Sequence, residues 1–176
     1  YSKLDFSVKV VAVTSALPDE GKTTISMCLA RVAAMSGQKV VVVDCDLRKQ
    51  SINDVIDIET DVGILQVLAG EAPWRSAMRR TIASPSPLPG AFASSPRTNY
   101  DLVILDCAPI LAVAETRVLV KQADTTVIVA RAGRSAIGAV RSAVSQTEGA
   151  GGKVLGIALN CVQPHWQSYA DSLYFY

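Results

Sequence analysis

Three clusters in this chain have the residue types and spacing to handle phosphate. The first is SALPDEGKTT, residues 15–24. A glycine-lysine-threonine run that opens a helix can cradle phosphates, because successive backbone N–H groups point inward and the helix N-terminus adds positive potential. In such a loop Gly21 lets the backbone approach closely and Lys22 reaches the β- and γ-phosphates. The Thr23 hydroxyl binds Mg2+, and Thr24 bonds the α-phosphate. Ala16 stands where the GxxxxGK[ST] pattern has its first glycine. Alanine is the smallest replacement, yet it resists positive φ. The other two clusters are acidic. VVVVDCDLRK (40–49) places Asp44 and Asp46 at the end of an apolar run, and YDLVILDCAP (100–109) does the same with Asp106. Alternation along a strand puts Asp44 and Asp46 on one side, where two carboxylates repel unless a cation or proton separates them. Mg2+, with oxygen ligands and retained waters, suits that place. Asp106 has the position of the Mg2+-associated aspartate of a Walker B motif, and Pro109 stiffens the exit. Plainer roles compete at each cluster: a solvated Lys22 on a strand–turn–helix, or a helix N-cap and a solvated charge at Asp44 and Asp46.

These groups must be positioned by the elements around them. VKVVAV (8–13), VVVV (40–43), LVIL (102–105), TVIVA (126–130) and VLGIAL (154–159) are β-branched and not alternating. That pattern predicts strands buried on both faces, as in a parallel sheet covered by helices. After the GKTT run, Ile25, Cys28, Leu29, Val32, Ala33 and Ser36 fall on one predicted helical face, with Gly37 just past the end. Ser135 is placed to cap a helix whose inner face carries Ile137, Val140 and Val144. VGILQVLAG predicts a further short helix ending near Gly70. Strands alternating with helices give an α/β fold, and ligands of such sheets bind at the carboxyl ends of the strands. The proline- and serine-rich stretch 83–99 reads as a loop.

The totals narrow the function classes. A chain of 176 residues, 49% hydrophobic and with a formal net charge of +1, suits one domain with a sizeable core and argues against a nucleic-acid binder relying on a basic field. No run of about 18 apolar residues offers a membrane span, and no charged-then-apolar leader is seen. Cys28, Cys45, Cys107 and Cys161 have no CxxC spacing and lie in apolar segments, so buried free thiols in a reducing cytoplasm are expected. His165 has no ligand cluster near it, which leaves no zinc site.

Taken together, ALPDEGKTT, VVVDCDLR with its DxDxR spacing, and VILDCAP resemble the bacterial tyrosine kinases of capsule and exopolysaccharide synthesis. VKVVAVTSA, VIVARAGRS and VLGIALNCV are similar to that family too. The resemblance covers residues 7–72 and 99–163, and loosely the tail, whose Tyr169, Tyr174 and Tyr176 resemble the family's C-terminal tyrosine cluster. It implies a three-layer P-loop NTPase with a mostly parallel central sheet, residues 1–163 as the ATP-binding domain and 164–176 as a tyrosine-bearing tail. It further implies that Lys22 and the loop amides, Asp19 and Glu20 through Thr24, hold ATP or ADP, and that Thr23, Asp46 and Asp106 organise Mg2+. Asp44 would be the base or orienting acceptor for a tyrosine hydroxyl. Arg48 would hold the motif or contact a neighbouring subunit, and Asn160 would contact the nucleotide base. Tail tyrosines would be phosphorylated on one subunit by another in a homo-oligomer. The implied partners are a transmembrane activator, fused or separate, of a polysaccharide co-polymerase and a cognate tyrosine phosphatase, at the cytoplasmic face of the membrane. The family's Walker B motif often has a threonine and two prolines where this chain has Cys107-Ala108-Pro109. Two other readings share the motifs: a partitioning or septum-positioning ATPase switch, and a non-catalytic nucleotide-binding regulator. The ATPases usually carry an extra lysine early in the loop, and residues 16–20, Ala-Leu-Pro-Asp-Glu, hold none.

Overall fold

Central strands with aliphatic residues on both faces need cover on both sides, and that requirement organises the chain. The computed structural model describes residues 8–49, 52, 62–73, 76 and 99–163. In these, β1 (Val10–Ser15) leads through the GKT loop into α1 (Lys22–Met35), then β2 (Val40–Asp44) and the short α2 (Ile64–Leu68). β3 (Leu102–Asp106), α3 (Glu115–Gln122), β4 (Thr125–Arg131), α4 (Ile137–Gly149) and β5 (Val154–Asn160) follow. The five strands form one parallel sheet in the order β2-β3-β1-β4-β5. On one face Val13, Ile104 and Val129 pack under Ile25 and Ala30 of α1. On the other, Ala12, Cys107, Ile110 and Ile128 meet Val120 of α3 and Ala143 of α4. Each fully buried aliphatic side chain contributes about 1.5–3 kcal/mol through area removed from water. The expected three-layer α/β architecture is the one observed.

The differences from expectation are local and share a cause. α1 does not bury its aliphatic stripe. Lys22, Thr23 and Ser26 are buried, whereas Cys28, Leu29, Val32 and Ser36 are exposed, and only Ile25 and Ala33 of the expected face are half-buried. The helix is fixed by its first turn, which must face the strand ends. At 100° per residue that choice turns Ser26 and Ala30 inward and Leu29 and Val32 outward. The end of α1 is as expected. Gly37 takes φ +87°, its amide donates to Ala34 and the Gln38 amide to Ala33, satisfying the last carbonyls of the helix.

Ser135 does not cap α4. The cap position is Ala136, without a side-chain hydrogen bond, and the Ser135 hydroxyl is used elsewhere. Of the predicted inner face, Val140 and Val144 are half-buried and Ile137 is exposed, while Ala143 and Thr147 carry the burial. β5 is a sheet edge and alternates, with Leu155, Ile157 and Leu159 exposed, so it is not buried on both faces. Among the cysteines all four are free, but only Cys107 is buried; Cys28 and Cys161 are exposed and Cys45 is half-buried. α3 escaped the sequence reading, since its inward residues Thr116 and Val120 stand in a mostly polar segment. No helix among the described residues is long and apolar enough to cross a membrane. The tail from 164 and most of 83–99 lie outside the described residues, as do Tyr169, Tyr174, Tyr176 and His165.

Candidate phosphate-transfer site

β1 lies between β3 and β4, with the strand ends carrying the polar groups together. The register sets Asp106 beside both Val13 of β1 and Asp44 of β2. The loop after β1 therefore opens over two aspartate-bearing strand ends.

The loop's backbone accommodates Ala16 because the positive φ lies elsewhere. Ala16 is fully buried in the core beside Cys107 and Ile110. The left-handed residues of the loop are Asp19 (φ 60°) and Gly21 (φ 89°). Gly21 is also sterically closed: a Cβ there would sit 2.0 Å from Asn160 Nδ2. That Asn160 amide donates to the Glu20 carbonyl at 3.2 Å. Asn160 is thus brought to the loop as a clamp on its backbone. Glu20 is the second clamp, 3% exposed. One carboxylate oxygen accepts the Leu17 amide at 2.8 Å and the other accepts the Ser135 hydroxyl. Ser135 in turn accepts the Arg131 amide, and the Arg131 guanidinium donates to the Asp19 carbonyl at 3.3 Å. Sequence reasoning missed this set, because Ser135, two residues before a helix, reads as a cap.

A Gly21→Ala chain should therefore be destabilised by about 1–3 kcal/mol, from the left-handed backbone and the clash with Asn160. Denaturant unfolding reads the loss. Adding Asn160→Ala should recover the steric part only, since the backbone cost remains.

Lys22 and Thr23 are both buried at the helix start. Lys22 Nζ lies 3.3 Å from Asp46 Oδ2, with both side chains almost wholly shielded. Asp106 is fully buried. Its Oδ1 accepts the Ser26 hydroxyl at 3.0 Å, and its Oδ2 has no hydrogen-bond partner. Burial pushes the Asp106 carboxyl up, while the Thr23 and Ser26 hydroxyls and the Lys22 charge pull it back. Asp44 is pushed from 3.8 to about 6, chiefly by burial and also by Asp106 and Asp46; the amides of Ile52 and Asp46, which it accepts at 3.3 and 3.1 Å, oppose the rise. Asp44 thus also braces its own loop, the plainer role open to it from sequence.

An acid held up in the fold binds its proton more tightly than when unfolded. Ionising Asp44 therefore costs stability progressively as pH rises from 3.8 to about 6, and the cost is constant above that. In the nucleotide-free, metal-free chain its carboxyl carbon should titrate with a midpoint about 6 by NMR. A midpoint at the ordinary solvated value would show the carboxyl to be open to water.

The orphaned Asp106 Oδ2, the Thr23 hydroxyl and the Asp46 carboxylate are hard oxygen donors of the kind Mg2+ takes. Among the described residues no three His, Cys, Asp or Glu side chains could hold a metal by themselves. Mg2+ is commonly held by one or two carboxylates plus substrate phosphates and waters. Arg48 is not brought to the loop. Its guanidinium lies 4.0 Å from Glu115 of α3, both groups mostly exposed, a pairing worth little. Lys49 joins the second motif to the loop instead, 3.4 Å from Asp19. Thr24 is exposed at the mouth.

The CobQ/CobB/MinD/ParA nucleotide binding domain matches residues 11–168. Tyrosine-protein kinase YwqD of Bacillus subtilis is 30% identical over 91% of this chain and 75% of its own length. The succinoglycan biosynthesis transport protein ExoP of Rhizobium meliloti is 30% identical over 86% of this chain and 22% of its own. The kinase domain of the Escherichia coli tyrosine kinase ETK superposes with a TM-score of 0.79 at 27% identity, over 90% of this chain and 69% of that one. The chain spans 25% of the length of several curated relatives that it matches.

Proposed function

Because the chain belongs to the CobQ/CobB/MinD/ParA nucleotide-binding family, and within it to the bacterial tyrosine kinases, we propose that it is an ATP- and Mg2+-dependent protein-tyrosine kinase serving polysaccharide synthesis and export. The observation that carries this reading is the second motif. Asp44 stands beside Asp106 in register, and Asp46 lies against Lys22, so DxDxR meets the phosphate loop.

Phosphoryl transfer needs little covalent help from a protein; positioning and charge supply most of it. The clamped loop presents the amides of Asp19 to Thr24 to ATP, and Lys22 leaves Asp46 for the outer phosphates. Thr23, Asp46 and Asp106 would hold Mg2+, which when bound neutralises charge on the transferred group. Asp44, raised towards neutrality, is suited to accept the tyrosine hydroxyl proton. Asn160 braces the loop and contacts the nucleotide base, and Arg48, exposed beside Glu115, holds the motif or meets a neighbouring subunit. Residues 1–163 form the ATP-binding domain, and 164–176 supply the acceptors Tyr169, Tyr174 and Tyr176, phosphorylated in trans within a homo-oligomer. The domain works at the cytoplasmic face of the membrane with a transmembrane activator of a polysaccharide co-polymerase, and a tyrosine phosphatase reverses it. Nucleic acid has no part.

Incubation with the activating partner, Mg2+ and labelled ATP, followed by phosphosite mapping, tests the reading. Phosphotyrosine in the tail supports it. Inorganic phosphate without phosphotyrosine would replace it with an ATPase switch, and tight ATP binding without turnover with a regulator. Truncation after His165 should remove most label.

A further inference from the structure

Each strand-end aspartate is followed directly by a cysteine: Cys45 after Asp44, Cys107 after Asp106. β2 and β3 run parallel with Asp44 opposite Asp106, so positions 45 and 107 form the next pair across the two strands. The ladder holds both backbones: the Cys45 amide donates to the Asp106 carbonyl and the Cys107 amide to the Val13 carbonyl, each at 2.9 Å. Alternation turns the thiols away from the aspartates, onto the opposite side of the sheet. There Cys45 packs against the cluster that holds Cys107, Ala16 and Ile110, and the Cys107 thiol donates to the Leu105 carbonyl at 3.5 Å. Neighbouring strands lie about 4.8 Å apart, inside the roughly 4.4–6.8 Å Cα separation that a disulfide bridges.

We propose that Cys45 and Cys107 are a redox modification site, joined by a hydroperoxide into a reversible disulfide that silences the phosphate-transfer site; the silencing rests on the kinase reading, the bond does not. Cys45 is the half-buried member and Cys107 the buried one, so oxidant reaches Cys45 first. Its sulfur attacks the peroxide. An S–O bond forms, the O–O bond breaks, the thiol proton leaves with the departing oxygen as water or alcohol, and the sulfur is oxidised by two electrons to sulfenic acid. Cys107 then attacks that sulfur. The S–S bond forms, the S–O bond breaks, and hydroxide departs with the Cys107 proton as water. Cys107 is fully buried, so oxidant does not reach it directly and it acts only as the resolving partner. Closing the bond fixes the two sulfurs at about 2.05 Å and sets the side-chain torsions of both cysteines, a constraint passed to the adjoining strand ends that carry Asp44 and Asp106. A misplacement of about 1 Å at a reacting centre costs on the order of a hundredfold in rate.

The test uses a Cys28→Ser, Cys161→Ser chain, which lacks the two exposed thiols and keeps the pair. After hydrogen peroxide, non-reducing peptide mapping should link the peptide of Cys45 to that of Cys107, and dithiothreitol should separate them. Over-oxidation of Cys45 without linkage, or no reaction, overturns the site. Phosphotransfer should fall at least about tenfold on linkage and return on reduction, and Cys45→Ala should abolish the sensitivity while leaving basal turnover. Linkage with unchanged turnover overturns the silencing. Should the chain prove not to be a kinase, the mapping still decides the bond, and binding of a fluorescent ATP analogue before and after linkage decides its effect on the site.

Discussion

Lys22→Met should lower phosphotransfer by on the order of 100- to 1000-fold, the usual loss when one pre-organised charge at a reacting group is removed. The same change should weaken the fold, which a lysine reaching only for substrate would not do. In the empty site Lys22 neutralises Asp46 at 3.3 Å, with both groups shielded from water. Removing one partner leaves a buried carboxylate without its cation, a cost on the order of 3 kcal/mol. Denaturant midpoints should drop accordingly. Adding Asp46→Asn should restore much of the stability and none of the activity. Unchanged labelling in Lys22→Met would sink the site assignment, and unchanged stability would show that the pair is not held in solution.

Asp106→Asn separates the two quantities in the other direction. Phosphotransfer should fall by a comparable factor, with the Mg2+ requirement raised, because a negative oxygen donor at the strand end is lost. Stability at neutral pH should hold or rise. Asp106 is fully buried and its carboxyl is pushed up by burial, so the ionised form opposes folding at pH 7 and relief comes only on acidification. Asparagine removes that charge. Its oxygen still accepts from Ser26, and its neutral amide removes the third negative charge near Asp44 and Asp46. A chain that lost stability at pH 7 on this change would contradict the burial argument.

The sheet and the loop were legible because both are written in short contiguous runs. All five apolar runs became strands, within two residues at each end, and Lys22, Asp44, Asp46 and Asp106 were brought together as their places at strand ends imply. What escaped depends on residues far apart in the chain. Glu20 meets Ser135 and Asn160 meets Gly21 only because β4 and β5 end beside the loop. The inward face of α1 was misjudged because hydrophobicity was weighed along the helix, whereas its orientation is dictated by where Lys22 and Thr23 must lie. Arg48 illustrates the limit of a motif: the resemblance implies that it holds the motif or meets a neighbouring subunit, and its guanidinium lies by Glu115 of α3.

The place of β1 in the sheet governs when the nucleotide pocket can exist at all. Val10 pairs with Val103 and Val11 with Thr125, so among the described residues the strand that carries the loop has no neighbour in the sheet until about ninety further residues have been made. Its clamp waits longer still, for Ser135 and Asn160. At a synthesis rate of about 5–20 residues per second the GKT segment stays unassembled on the ribosome for several seconds, and its closure entropy is recovered only near the end. Nucleotide affinity in a nascent or refolding chain is therefore a gauge of the whole sheet's completion. A nucleotide that binds only that finished form draws the last step of folding forward.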